Sequence, residues 1–206
     1  MEMSQSQLLP VSQQTAWQAL NDPEVLRQCI PGCESIERTG DNEFAVAMVA
    51  AIGPVKARFQ GTLKIEDPDP PRAYKLAFNG QGGAAGFGKG TAEVTLTPAR
   101  ADGSDLTDGA NEAKWADGAD ETNEANGTNE ADRAGGSSEA GAEVNLTRLD
   151  YAAHAQVGGK IAQIGSRLID GAARKLAGAF FTAFDALLRE RYPDESSRAS
   201  DAAPSP

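Results

Sequence analysis

Both cysteines of this 206-residue chain lie in one short stretch, Cys29-Ile-Pro-Gly-Cys33. Two thiols at this spacing could form a redox pair, supply half of a metal site, or flank a tight turn. A redox pair needs a thiolate stabilised at a helix N-terminus, whereas Cys29 is expected at the end of a short helix, where the dipole disfavours negative charge. A structural zinc site needs four ligands, and His154 is the one histidine that could join. The pattern therefore favours two small thiols beside a turn.

His154 is the second candidate for chemistry, because a histidine can act as a base near neutral pH. Strand alternation places it on the opposite face from Tyr151 and Val157, on the outside of the predicted sheet. A catalytic base needs a partner placed within hydrogen-bond reach, and Asp150 is not positioned to serve. We therefore predict an exposed strand histidine and no catalytic residue.

The glycine-rich run GQGGAAGFGKG, residues 80–90, contains Gly-x-Gly patterns. A phosphate-binding loop must connect a strand to a helix whose N-terminus faces the phosphate. Here strand patterns flank the run on both sides. The run therefore predicts a hairpin turn and a bend in the sheet, and we predict neither a cofactor nor a metal.

The net charge of −11 is concentrated in one segment. Residues 100–143 carry 12 acidic and 3 basic side chains, which leaves a net charge of −2 on the rest of the chain. A nearly neutral body argues against a nucleic-acid-binding protein, which needs a basic face. No apolar run reaches the length of about 18 residues needed to span a bilayer, and the N-terminus lacks the pattern of a signal peptide. These features predict a cytoplasmic protein.

The acidic segment also sets the predicted domain bounds. Residues 100–147 are poor in branched and aromatic side chains, so we predict a mostly disordered insert. A strand is possible at 142–147, because AEVNLT there repeats AEVTLT at 92–97. The predicted single domain consists of residues 1–99 and 148–191, and residues 192–206 are predicted to be a disordered tail.

The predicted elements are two short helices, several strands and one long helix. Ser12 can cap the first helix, and Asp22-Pro23 can begin the second. Residues 44–52, 55–65, 74–78, 92–96 and 149–157 then have the period-two pattern of strands, with larger apolar side chains recurring on one face, as in an antiparallel sheet covered on one face. From Lys160 to Arg191 apolar residues return at helical spacing. A single helix of about 30 residues would be about 45 Å long and could lie across the whole sheet.

Four stretches together resemble the family of the carbon monoxide dehydrogenase G subunit. They are WQALNDPEVLRQCIPGCESIE, IGPVKARFQG, GFGKGTAEVTL and LDYAAHAQVGGKIAQIGSRLIDGAARKLAGAFFTAF. The resemblance covers residues 1–99 and 148–190. It implies the START-like (SRPBCC) helix-grip fold: an α+β domain whose curved antiparallel sheet wraps around a long C-terminal helix, with two short N-terminal helices. The acidic insert departs from the family, which has a short turn there.

Small residues on the long helix and on the facing strands admit two interpretations, close packing or an internal void. The predicted helix stripe contains Ile161, Gly165, Leu168, Ala172, Leu176 and Ala179. The resemblance favours a void, because helix-grip domains commonly enclose an elongated apolar cavity. We expect the following residues to bind an apolar ligand there: Phe59, Leu63, Phe78, Tyr151, Leu168 and Ala172.

Phe180, Phe181 and Phe184 fall on successive sides of the long helix, so at least one ring is expected to be exposed. They are candidates for contact with a partner or with lipid. A core aromatic cluster under Trp17 is the competing interpretation, and the sequence does not decide between them.

The resemblance implies a non-catalytic accessory protein that binds a quinone or lipid-like molecule. It also implies that the protein helps a molybdenum-containing carbon monoxide dehydrogenase, or a related hydroxylase, associate with the cytoplasmic face of the membrane. Two alternatives stay open, a cavity-based enzyme of the cyclase or hydrolase type and a maturation chaperone for the dehydrogenase. The enzyme would need inward ionisable groups, and alternation leaves only Tyr74 and Tyr151 inside.

Overall fold

Seven strands form one antiparallel sheet in the structure, a computed structural model that describes residues 1–100 and 146–201. The strands are Glu2–Leu9 (β1), Cys33–Gly40 (β2), Glu43–Ile52 (β3), Val55–Asp69 (β4), Ala73–Gln81 (β5), Phe87–Ala99 (β6) and Leu146–Gly158 (β7). Their order across the sheet is β1-β7-β6-β5-β4-β3-β2. The two edges are therefore β1 and β2, and every other strand pairs on both sides.

Five helices accompany the sheet in the described residues. They are Gln13–Leu20 (α1), Pro23–Cys29 (α2), Lys160–Gln163 (α3), Ser166–Arg191 (α4) and Pro193–Asp201 (α5). The first two connect β1 to β2 and so pass from one edge of the sheet to the other. The helix α4 lies across one face of the sheet. The predicted helix-grip fold is confirmed.

Local sequence explains where α1 and α2 begin. The Ser12 side chain accepts a hydrogen bond from the backbone N–H of Thr15, and the Asp22 side chain accepts one from Glu24. Pro23 occupies the start of α2, where its missing N–H costs nothing. Both predicted helix starts are confirmed because each capping side chain satisfies a backbone donor that the helix leaves unpaired.

The long C-terminal helix is shorter than predicted. Gly165 has φ 94°, in the left-handed region, and it separates α3 from α4. The 26 residues of α4 span roughly 39 Å at 1.5 Å per residue. The prediction of one continuous helix over 160–191 is wrong because Gly165 adopts a positive φ that interrupts the helix and that other residues rarely adopt.

The predicted disorder of residues 192–206 is also wrong over residues 193–201, which form α5. The carboxylate of Glu195 accepts hydrogen bonds from the Ser12 backbone N–H at 2.8 Å and from the Thr15 hydroxyl at 2.9 Å. The neighbouring Ser196 is buried, with 4% of its surface exposed. A carboxylate is stabilised there because it lies at the positive N-terminal end of α1.

The predicted acidic insert ends two residues earlier than expected. Leu146 and Thr147 are buried and pair with Ala99 and Pro98, so they belong to β7. The AEVTLT copy at 92–97 lies in β6. The rest of the predicted insert, from 101 to 145, lies outside the described residues.

The main core lies where the C-terminal half of α4 meets α1, α2 and the sheet. Phe184 and Leu188 of α4 are fully buried there, together with Val11, Val25 and Phe44. A smaller cluster of Ala85, Ile161 and Ile169 lies near the N-terminal end of α4. The two clusters therefore hold opposite ends of the helix against the sheet.

Candidate ligand cavity

Two neighbouring apolar compartments lie between α4 and the sheet. The compartment lined by Gly61 and Gly80, which we call the outer compartment, has a volume of about 320 Å³. The compartment lined by Phe44 and Tyr74, which we call the inner compartment, has a volume of about 260 Å³. Ile30 and Leu63 line both, so the two compartments adjoin at these side chains. Their combined size and apolar lining are those of a site for a small apolar molecule.

The floor of the outer compartment is a row of three glycines across neighbouring strands. Gly61 of β4 is paired with Gly80 of β5, which is paired with Gly88 of β6. All three line the compartment. An added Cβ at Gly61 would overlap the carbonyl group of Asn79, whereas one at Gly80 would meet its nearest neighbour at 3.8 Å. Gly61 therefore permits close strand approach, and Gly80 leaves room unfilled.

The inner compartment is lined by larger side chains. Phe44, Ile65, Tyr74 and Leu149 rise from the sheet. On the helix side its lining is Ala177, Phe180 and Phe181, while Leu176 faces the outer compartment. The cavity thus runs along α4 from a glycine floor to an aromatic end.

Four of the six predicted ligand-binding residues lie on the cavity wall. Phe59, Leu63 and Phe78 line the outer compartment, and Leu63 and Tyr151 line the inner one. Their role in binding a ligand stays a prediction.

Leu168 and Ala172 do not line either compartment. Leu168 is 51% exposed and Ala172 is half-buried, and the residue that is buried in the first turn of α4 is Ile169. The predicted placement is wrong because a helical phase counted from residue 160 runs across the break at Gly165. Each residue of α4 is consequently rotated relative to that count.

The aromatic trio of α4 forms part of the core. Phe184 is fully buried, and the rings of Phe180 and Phe184 stack at 5.6 Å between centroids. Phe181 stacks on Tyr151 at 5.4 Å. Phe180 and Phe181 are half-buried, so none of the three rings is exposed. The expected exposure of one of these rings is therefore wrong, since Phe184 belongs to the main core and Phe180, Phe181 and Trp17 pack against it. A partner or lipid contact through Phe180, Phe181 and Phe184 stays a prediction.

Two tyrosines supply the ionisable groups of the wall. Tyr74 is 4% exposed and packs edge-on against Trp17, at 5.3 Å between ring centroids. Burial raises the pKa of Tyr74 far above its ordinary value, so its hydroxyl stays protonated at physiological pH. The Tyr151 hydroxyl donates a hydrogen bond to Gln5 Oε1 at 2.8 Å. No Asp, Glu, His, Lys, Arg or Cys lines either compartment among the described residues.

The cysteines lie at a turn, as predicted. Cys29 is buried, Cys33 is half-buried, and both are free thiols. Burial raises the pKa of both thiols, which disfavours the reactive thiolate. Gly32 between them has φ 74°, and its carbonyl accepts a hydrogen bond from the Val49 N–H at 2.8 Å. The Pro-Gly turn thereby fastens the end of α2 to β3.

The other two candidates also lie where the sequence predicts. The side chain of His154 is exposed on the outer face, with Nδ1 3.1 Å from Glu2 Oε1. The glycine-rich run forms the hairpin from β5 to β6 through a 3-10 turn at Gly83–Ala85. Within residues 1–100 and 146–201, no three His, Cys, Asp or Glu side chains are grouped to hold a metal ion.

Sequence reasoning missed the importance of Ile30, Gly80 and Gly88. The alternation that places Tyr74 and Phe78 inward also places Gly80 inward, so that pattern could have identified the glycine floor. Ile30 lies in the cysteine turn, and no pattern in the sequence connects that turn to the cavity.

A long helix held across an antiparallel sheet over an apolar cavity defines a helix-grip domain of the START-like kind. The chain belongs to the family of the carbon monoxide dehydrogenase G subunit (CoxG), whose model matches residues 8–107 and 112–188. Family and fold support a cavity-containing accessory or ligand-binding protein. No protein of curated function matches the chain.

Solved structures share this fold. A conserved protein from Geobacillus kaustophilus is 25% identical, with a TM-score of 0.67, over 92% of this chain and 96% of that one. A START superfamily protein from Mycobacterium smegmatis is 10% identical, with a TM-score of 0.55, over 92% and 97%. The Zhui aromatase/cyclase from Streptomyces sp. R1128 is 10% identical, with a TM-score of 0.54, over 94% and 97%. The last two share the fold alone.

Proposed function

We propose that this protein is a non-catalytic accessory protein that binds a quinone or lipid-like molecule in the two-compartment cavity. The observation that carries the proposal is the wall itself, which is apolar apart from a few neutral polar groups. General acid–base catalysis needs an ionisable side chain near the reacting atoms. The two wall tyrosines are poor candidates, since one has a strongly raised pKa and the other is bonded to Gln5.

The partner we propose is a molybdenum-containing carbon monoxide dehydrogenase or a related hydroxylase. Membership of the family named for one component of that enzyme supports it. Size-exclusion chromatography of the protein mixed with a purified dehydrogenase of this class would test it. Comigration is expected, and separate elution at micromolar concentrations would contradict it.

The surface that we propose for contact with the membrane lies at the N-terminal end of α4. Leu168 is exposed there, and both Leu168 and Ile164 approach the turn at Gly53. The nearby cations Lys56, Lys160 and Arg167 are exposed and make no ion pair with any residue that the structure describes. An exposed leucine beside unpaired cations suits the surface of an anionic bilayer. We call Leu168, Ile164 and these three cations the open-end surface.

Contact through so small a surface is expected to be weak. One exposed leucine buries little apolar area, and the attraction rests on three local cations because the chain outside residues 100–143 has a net charge of −2. In the described residues, moreover, no helix is long and apolar enough to cross a membrane. The proposed association is therefore peripheral and sensitive to salt.

The ligand proposal is tested by titrating the protein with N-phenyl-1-naphthylamine, a neutral apolar dye that fluoresces when it is removed from water. The variant Gly80→Leu should fill the outer compartment, because Gly80 has ordinary backbone geometry and open space above it. We expect the dye affinity to fall at least about tenfold while the fold is retained. Thr91→Leu adds the same side chain on the exposed face of the sheet, away from both compartments, and should leave the dye affinity unchanged. Absence of dye binding to the wild type would contradict the proposal that the cavity binds an apolar ligand.

The membrane proposal is tested by flotation with phospholipid vesicles. Wild-type protein should float with anionic vesicles at low ionic strength and float little with them at physiological salt. It should not bind zwitterionic vesicles. Leu168→Ser should abolish flotation. Leu8→Ser is the matched control, since Leu8 is 42% exposed in β1, outside the open-end surface. Equal loss in both variants, or no flotation at low salt, would show that the surface is wrongly assigned.

A further inference from the structure

Tyr74 is an unusual residue for the wall of an apolar cavity. It lies in the middle of the sheet, where β5 pairs with β4 and β6, and its inward side chain lines the inner compartment. Trp17 packs against its ring on the side of α1. The ring is therefore held in place by its neighbours.

The hydroxyl of Tyr74 has no hydrogen-bond partner among the described residues, although the side chain is 4% exposed. Tyr151, the other tyrosine of the wall, bonds to Gln5 instead. A buried hydroxyl without a partner costs free energy, and phenylalanine would fill the same space without that cost. An unpaired donor inside a cavity is explained if a ligand supplies the acceptor.

The charge of the wall restricts that ligand. Neither compartment is lined by a cationic side chain among residues 1–100 and 146–201. A carboxylate or phosphate buried there would lose its hydration without gaining an ion pair. The Tyr74 hydroxyl remains a neutral donor, so its complement is a neutral acceptor oxygen.

We infer that the Tyr74 hydroxyl donates a hydrogen bond to a carbonyl oxygen of a neutral, otherwise apolar ligand. The carbonyl-bearing part occupies the inner compartment, and the apolar remainder passes Ile30 and Leu63 into the outer compartment. This inference rests on the proposed function, and it makes Tyr74 the residue that selects carbonyl compounds over hydrocarbons of the same shape.

The test compares octanophenone with octylbenzene, in which a methylene replaces the carbonyl. Each probe displaces N-phenyl-1-naphthylamine from the wild type and from Tyr74→Phe. We compare the ratio of the two probe affinities in the wild type with the same ratio in Tyr74→Phe. The difference in hydrophobicity between the probes affects both ratios equally, so it drops out of the comparison. We expect Tyr74→Phe to reduce the preference for the ketone by about tenfold, the worth of a hydrogen bond to a buried donor. Its affinity for octylbenzene should not fall.

Tyr192→Phe is the matched control, because it removes a hydroxyl that lines neither compartment. It should keep the wild-type preference. A second measurement needs only the wild type: the infrared carbonyl band of bound octanophenone should lie below its frequency in hexane. That band decides the question even if Tyr74→Phe folds poorly.

The outcomes separate the two proposals. If both probes displace the dye but the preference survives in Tyr74→Phe, or if the carbonyl band matches that in hexane, the inference is overturned and the proposed function stands. If neither probe nor dye binds, the proposed function fails and the inference fails with it.

Discussion

The two compartments of the cavity differ in how the chain leaves space. In the outer compartment the sheet contributes Gly61, Gly80 and Gly88, so that room exists because side chains are missing. In the inner compartment large side chains surround a smaller volume, and one of them carries an unpaired donor. The outer half therefore offers volume and the inner half offers recognition. An elongated ligand with one polar group would use both.

The helix α4, which covers both compartments, also has two unlike ends. Near its C-terminal end α4 buries Phe184 and Leu188 completely. Near its N-terminal end Leu168 is half exposed, and the helix follows the break at Gly165. Stability is thus concentrated at the end near α1 and α2, while the other end is lightly packed. Ligand entry and exit require local opening, and such openings occur in lightly packed regions.

The largest expected effect tests this division along α4. Phe184→Ala should lower the free energy of unfolding by about 3–5 kcal/mol, because it removes a fully buried ring that stacks on Phe180. Leu168→Ala should cost less than about 1 kcal/mol, since half of that side chain is already in water. Urea unfolding followed by circular dichroism measures both. Similar losses in the two variants would contradict an uneven distribution of stability.

The next effect concerns the glycine floor. Gly61→Ala should destabilise the protein by about 2 kcal/mol or more, because the added methyl group would overlap the backbone of Asn79. Gly80→Ala should be neutral or stabilising by about 0.5 kcal/mol, because its methyl group has room and the unfolded chain loses freedom. Thermal unfolding of the pair distinguishes them. A large loss at Gly80 would mean that the outer compartment cannot accept added bulk.

The central strands and the helix starts could be predicted because each rests on local chemistry. Along most of β4, β5 and β6 the side chains of one face are more buried than those of the other, so alternation is clear. The edge strands β1 and β2 escape prediction, since most of their side chains are exposed on both faces. A segment such as Glu2–Leu9 pairs through its backbone with β7, and backbone pairing leaves little trace in side-chain types.

The remaining errors have a tertiary cause. The break at Gly165 changes the phase of α4, and a helical pattern counted from residue 160 cannot reveal it. Helix α5 depends on Glu195 reaching Ser12 and Thr15, about 180 residues earlier in the chain. Tyr74 could be predicted to face inward. That its hydroxyl has no partner depends on which acceptors the other strands and helices bring near it.

The smallest expected effect concerns Tyr74 and alkaline pH. The tyrosine is an acid whose pKa is higher in the folded protein than in the unfolded chain. Above about pH 10 the unfolded chain releases this proton while the folded protein keeps it, so unfolding is favoured as the pH rises. Below about pH 10 both states hold the proton and the group contributes no pH dependence.

Tyr74→Phe should therefore remove part of the alkaline loss of stability. Between about pH 10 and pH 11 the wild type should lose up to about 1.4 kcal/mol more than Tyr74→Phe, which is the slope that one differentially bound proton produces. Urea unfolding at both pH values measures the difference, and Tyr192→Phe controls for loss of a tyrosine elsewhere. If Tyr74→Phe and the wild type lose stability in parallel, water reaches the hydroxyl. The inner compartment would then be a wet pocket, and its unpaired donor would need no ligand to explain it.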